Sequence, residues 1–201
     1  PEALKLYRKR LRYMVGRYAA YPSLMSWQFF NEINNVFRFL KPRDVVAWHD
    51  QMARWLAEND PYQHPRTTSF GPKGEHRPMW KLDSMDYANW HLYLNWAGHY
   101  RHPAAMAEDV ATRFTRSYGK PVSISEYGTS GKGWEPEIDP HLRGLQQAVW
   151  GGIMAGTSGT SMPWWGEKMH AEKIHAKLWM PLAKFLEGTG FGGADWAPIR
   201  L

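Results

Sequence analysis

Apolar residues recur at Leu4, Tyr7, Leu11, Met14, Val15 and Tyr18, a spacing that predicts an amphipathic helix over 2–18. Tyr21, Pro22 and Ser23 end it. A short apolar run from Leu24 to Phe30 then opens into Asn31-Glu32-Ile33-Asn34-Asn35, the pattern of a buried strand with a polar C-terminal end. Pro42 to Ala57 reads as a second amphipathic helix with proline in its first turn. Asp60-Pro61 closes that region, Arg66 to Phe70 is a Thr-rich strand, and Gly71 to Pro78 is a loop. Met85 to Leu94 predicts a third strand, with His91 and Tyr93 two residues apart and so on one face. A helix over Pro103–Tyr118, with Gly119 as its stop, leads to a fourth strand at Pro121–Ser125, which opens into Glu126, Tyr127 and Gly128. His141–Ala155 is a helix, Thr160–Trp165 a fifth short strand, and His175–Leu186 the last helix.

This near-strict alternation predicts an α/β fold with a parallel sheet and helices outside it. Two arrangements fit: a doubly wound sheet and a β/α barrel. The first usually carries a glycine-rich phosphate loop after its first strand. No glycine-rich phosphate loop follows the first predicted strand here, and no Walker sequence occurs. A barrel gathers its chemistry at the C-terminal ends of several strands, and Glu32, His91, Tyr93, Glu126 and Trp164 all fall there. The 201 residues suit one domain, residues 1–201, long enough to bury a sizeable core.

Composition narrows the chemistry. With no cysteine, disulfide frameworks, thiol nucleophiles and cysteine-ligated zinc are excluded together. The formal net charge of +6 would suit an anionic partner, but the basic residues concentrate at Lys5–Arg17 and otherwise scatter along helices, the mark of solvated faces. No nucleic-acid partner is expected. No apolar run approaches the ~20 residues of a bilayer span, so no membrane partner is expected either. The 12 tryptophans and 10 tyrosines exceed what a core this size requires, and exposed aromatic faces suit stacking on ring-shaped ligands. His99, His102 and Glu108 lack a tight ligand spacing, so no metal and no cofactor is expected.

Glu32 and Glu126 each follow a predicted strand at the same end of the same kind of unit. Two carboxylates facing one cleft can divide labour, one protonated as acid and the other ionised as nucleophile. Acetal cleavage needs that division, since the leaving oxygen must be protonated while positive charge builds at the anomeric carbon. A non-catalytic aromatic-lined binding barrel is the alternative; binding alone would require neither glutamate.

The strand-end motifs resemble the clan A glycoside hydrolases, a family 5-like cellulase or mannanase. Trp27-Gln28-Phe29-Phe30-Asn31-Glu32 is similar to their fourth strand, and Pro121-Val122-Ser123-Ile124-Ser125-Glu126-Tyr127-Gly128 to their seventh. His91-Leu92-Tyr93 is similar to the sixth, Ser161-Met162-Pro163-Trp164-Trp165 to the eighth, and Arg66-Thr67-Thr68-Ser69-Phe70 to the fifth. The resemblance implies Glu32 as acid/base and Glu126 as nucleophile. It implies substrate contacts from Asn31, His91, Tyr93, Tyr127, Trp164 and Trp165. It further implies a β-linked oligo- or polysaccharide substrate, endo action with retention, and a secreted or periplasmic enzyme. Strands one to three of a (β/α)8 TIM barrel have no counterpart here, so a partial barrel, strands 4–8 with their helices, is expected, with the N-terminal units lying upstream. Two further expectations are a bend at Asn31 and hydrogen bonds to Glu126 from Tyr93 or Tyr127.

Overall fold

A computed structural model of the chain describes residues 2–72, 75–94 and 102–193. Helices α1 (Glu2–Tyr18) and α2 (Pro42–Asn59) form where the apolar spacing places them, α2 with proline in its first turn. The strands are β1 (Trp27–Gln28), β2 (Arg66–Thr67), β3 (Ser69–Phe70), β4 (Ala88–Tyr93) and β5 (Val122–Gly128). Every pairing between them is parallel: β1 with β2, β3 with β4, and β4 with β5. The helices that follow are α3 (Arg77–Trp80), α4 (Pro103–Tyr118), α5 (Arg143–Met154), α6 (Gly166–Ala171) and α7 (Ile174–Leu186). Gly119 ends α4 in the left-handed conformation at φ 62°. None of the described helices is long and apolar enough to cross a membrane.

Several expected elements are shorter than their apolar runs. The strand expected over Leu24–Phe30 pairs regularly only at Trp27–Gln28, because the chain bends at Asn31 and Glu32 turns left-handed at φ 48°. It still donates from Trp27 N to Pro65 O (2.8 Å) and from Phe29 N to Thr67 O (3.0 Å). The strand expected over Arg66–Phe70 is divided at Thr68 into β2 and β3. The strand expected over Thr160–Trp165 is reduced to one bridge, Tyr127 with Pro163, flanked by bonds from Met162 N to Ile124 O (3.0 Å) and Trp164 N to Tyr127 O (2.7 Å). Pro163 falls between those two donors, so its missing N–H costs no bond to β5. The left-handed Trp165, at φ 77°, then turns the chain into α6. The 3₁₀ helix Ile33–Arg38 and α6 lie outside every expected helix, and α3 begins within the expected loop Gly71–Pro78.

The helices cover the apolar face of the sheet. Phe70, Trp90, Leu92, Val122 and Ile124 pack with Met106, Val110 and Phe114 of α4, Leu145 and Ala148 of α5, and Leu178 of α7. A second cluster joins Leu11 and Val15 of α1 to Met52 and Leu56 of α2 over Trp27. The alternate strand positions, Gln28, Ser69, Asn89, His91, Tyr93 and Ser125, carry polar groups that bond to one another or to Glu32 and Glu126. Alternation along a strand sends these two sets to opposite faces, and the polar one carries the site.

Behind the break at Thr68 lies His49 of α2, fully buried among Phe29, Phe30 and Trp48. Its Nδ1 is 2.8 Å from Val45 O, an acceptor, so Nδ1 carries the proton and Nε2 faces Thr68 Oγ1 at 3.3 Å. Burial pushes this imidazole down to about 4, a hydrogen bond to Val45 offsetting only part of the effect.

Candidate active site

Glu32 enters the site from the bend after β1. Its left-handed backbone, φ 48° and ψ 56°, is uncommon for a residue with a side chain. Its N–H donates to Ser69 Oγ at 3.0 Å, and its C=O accepts from Asn35 N at 2.9 Å, opening the 3₁₀ helix. The carboxylate is held at both oxygens: Asn35 Nδ2 donates to Oε2 (3.0 Å), and His91 Nδ1 lies 3.0 Å from Oε1. Gly71, at the end of β3, closes the other side. A Cβ there would stand 3.1 Å from Glu32 Cδ and Oε1.

Glu126 reaches the same place through a β-bulge. Trp90 pairs with Ile124 but His91 pairs with Glu126, so Ser125 is the extra residue of β5. Strict alternation would place Glu126 on the face of Ile124, toward the core. The bulge gives Ser125 and Glu126 the same side: Ser125 Oγ donates to Asn89 Oδ1, while Glu126 Oε2 accepts from Tyr93 Oη at 2.8 Å and lies 3.1 Å from His91 Nδ1. Burial raises the Glu126 carboxyl, but the imidazole of His91 and the Tyr93 hydroxyl outweigh it and hold the group below the ordinary glutamate value. Burial, together with the bond to Glu126 and the charge of both glutamates, pushes the Tyr93 phenol well above its ordinary value.

His91 therefore stands between the two carboxylates, wholly buried, with one nitrogen near both and Nε2 without a partner among the described residues. One donor atom from each of Glu32, His91 and Glu126 lies within 4.8 Å of the others, a set that could hold a divalent cation. The contacts of Nδ1 with both carboxylates account for that closeness without an ion. Of the other candidate ligands, His102 Nδ1 accepts from Ala105 N at 3.2 Å as the cap of α4, Glu108 is exposed, and His99 lies outside the described residues.

The remaining candidates divide. Asn31 is exposed at the bend, its Oδ1 3.4 Å from Ser69 Oγ, beside the group that binds the Glu32 amide. Trp164 is 39% exposed and meets the Tyr93 ring edge-on at 6.2 Å; Trp165, equally exposed, lies 5.2 Å from Trp164 at a tilt of 32°. Tyr127 requires a correction. It is fully buried, and its hydroxyl points to Gly144 O (3.4 Å), because the residue after the bulge faces the core. Tyr93 alone of the two tyrosines bonds Glu126.

Residues absent from the sequence-based set also shape the site. Asn35 and Ser69 bond Glu32 directly, and Gly71 abuts its carboxyl. Gln28 bridges the strands, donating to Ser69 Oγ (3.0 Å) and accepting from Asn89 Nδ2 (3.1 Å). The polar alternation Asn89-x-His91-x-Tyr93 within an otherwise apolar strand was the available signal for Asn89. Nothing in the spacing singles out Ser69 or Gly71.

No protein-family profile matches the chain, and no curated protein matches it by sequence. Solved structures do match. An endo-1,4-β-mannanase from Rhizomucor miehei superposes with a TM-score of 0.61 at 16% identity, over 82% of this chain and 53% of its own. A β-glucuronidase from Bacteroides uniformis gives 0.61 at 22% identity, over 78% and 20%. The hyperthermostable endo-1,4-β-D-mannanase of Thermotoga petrophila gives 0.53 at 18% identity, over 78% and 52%. The chain thus spans from a fifth to about half the length of these proteins. All are glycoside hydrolases, the class that the strand-end motifs resemble, and at these identities the likeness is one of fold.

Proposed function

We propose that this chain is the catalytic part of a retaining β-glycosidase, with Glu126 as nucleophile and Glu32 as acid/base. The closeness of the two carboxylates carries the reading, with an oxygen of each within 4.8 Å of the other. Retaining enzymes hold their carboxyl groups ~5–5.5 Å apart, whereas inverting ones need ~6.5–9.5 Å to admit a water. The asymmetry of the surroundings supports the division of roles. Glu126, with its lowered carboxyl pKa, is ionised at neutral pH and has its Oε2 steadied by Tyr93. Glu32 supplies the proton.

In the first step a Glu126 oxygen forms a bond to the anomeric carbon as the glycosidic C–O bond breaks, and the Glu32 proton passes to the leaving oxygen. In the second, water adds to the anomeric carbon, its proton returns to Glu32, and the bond to Glu126 breaks. Two inversions give net retention. Trp164, exposed beside Tyr93, supplies a face for the sugar ring, and Trp165 extends it. Asn31, at the same bend as Glu32, is the substrate clamp, and His91 orients both carboxylates.

The substrate in this reading is a β-linked polysaccharide cut internally, by analogy with the two endo-1,4-β-mannanases. The parallel strands, clothed by helices on one face and polar on the other, form part of a (β/α)8 barrel whose other units are supplied upstream. The test uses the complete protein and an activated aryl β-glycoside. Glu126→Ala abolishes turnover, and added azide yields an α-configured glycosyl azide. Substantial residual turnover, or a β-configured azide from this variant, would overturn the assignment; an inert parent protein would favour the binding-barrel alternative.

A further inference from the structure

We propose that Ser69 and Gly71 of the β3 segment act as positioning residues, a two-sided clamp that sets where the Glu32 carboxyl stands. The proposal rests on the acid/base role assigned to Glu32. A left-handed backbone at a glutamate persists only where its surroundings over-determine it. Two contacts that do so come from outside the Glu32 segment and from one short stretch of chain, β3 and the residue after it. Ser69 is fully buried, and its hydroxyl oxygen accepts both the Glu32 N–H and Gln28 Nε2, each at 3.0 Å. Its own proton faces Phe30 O and Asn31 Oδ1, both at 3.4 Å. One hydroxyl therefore ties together the residues on either side of the bend.

Gly71 acts from the other side. The Cβ of any larger residue would lie 3.1 Å from the Glu32 carboxyl, closer than such atoms ordinarily approach, with Asn34 Nδ2 at 3.4 Å. Its amide is fixed by Asn34 Oδ1 at 2.7 Å and its carbonyl by Trp90 Nε1 at 2.9 Å, so Gly71 has little freedom to retreat. Glu32 would have to move instead. Neither residue is placed to give or take the transferred proton. Both act through Glu32, and each should fail in the way Glu32 itself fails.

Loss of an acid catalyst has a recognisable signature. Cleavage of a dinitrophenyl glycoside needs no proton on its leaving oxygen, whereas cleavage of a sugar–sugar bond does. In the complete protein, Ser69→Ala is expected to lower kcat/KM on a β-linked oligosaccharide about 100-fold while changing it by less than about threefold on the dinitrophenyl glycoside. Gly71→Ala should show the same leaving-group selectivity through displacement of the carboxyl, and it decides the question if Ser69→Ala does not fold. Losses equal on both substrates in the folded variants, or no loss on either, would overturn the clamp. Glu32→Ala run alongside separates the two ideas. Selective loss in Glu32→Ala without it in the clamp variants refutes only the clamp. Its absence in Glu32→Ala refutes the acid/base role, and the clamp with it.

Discussion

His49 offers a measurable acid sensitivity at the back of the site. In the unfolded chain its imidazole takes up a proton near its ordinary value of 6.5; in the folded protein burial delays this to about 4. Between those values the unfolded state binds the extra proton, so stability falls as pH falls, beginning near 6.5 and levelling off below 4. At about 1.4 kcal/mol per pH unit, the gap corresponds to a loss on the order of 3 kcal/mol. About 2 kcal/mol of this should already be gone at pH 5. The perturbation is His49→Gln, which cannot titrate yet keeps an oxygen facing Thr68. Urea unfolding of the complete protein and of the variant, at intervals from pH 7 to pH 4, isolates the contribution as the difference between the two stability curves. The wild type should lose stability more steeply than the variant across this interval. Parallel curves would refute the account, since they would mean that His49 has the same proton affinity in both states. The effect bears on the site because Thr68 Oγ1 also lies 3.2 Å from Phe30 O, two residues before Glu32.

Substitutions at two further positions test the electrostatics and the sheet's support. Tyr93→Phe removes a donor that helps hold the Glu126 carboxyl low, so the acid limb of the kcat/KM profile should move to higher pH. Turnover at neutral pH should fall at least about tenfold, the range for a hydrogen bond to a charged group; an unmoved limb would exclude Tyr93 as the donor that matters. Asp60, 2% exposed, accepts from Trp27 Nε1 (2.9 Å), His64 Nδ1 (2.8 Å) and the amides of Tyr62 and His64 (both 3.0 Å). Asp60→Ala should cost about 3 kcal/mol or more in urea unfolding, with Asp60→Asn less severe, because it keeps an oxygen for part of this set; equal costs would count against the hydrogen-bond explanation.

Much of this protein was written in local pattern. The amphipathic spacing of Leu11 and Val15, the proline opening α2 and the glycine closing α4 depend on neighbours three or four residues away, and those helices lie where the spacing puts them. Parallel order also followed from alternation of short strands and helices, and the strand ends bearing Glu32 and Glu126 were legible as polar residues interrupting apolar runs. The exact geometry was not. Strict alternation along β5 would bury Glu126 with Ile124, and only the bulge opposite Trp90 and His91 redirects it, leaving Tyr127 to the core. A bulge arises from the fit between two strands brought together by folding, and no periodicity within one strand records it. Ser69 and Gly71 stayed hidden for the same reason. A serine and a glycine near a strand end are ordinary, and they acquire a role only when folding sets Glu32, 37 and 39 residues earlier in the chain, against them. The sequence determined which residues could do chemistry; the long-range contacts of the sheet decided which of them meet.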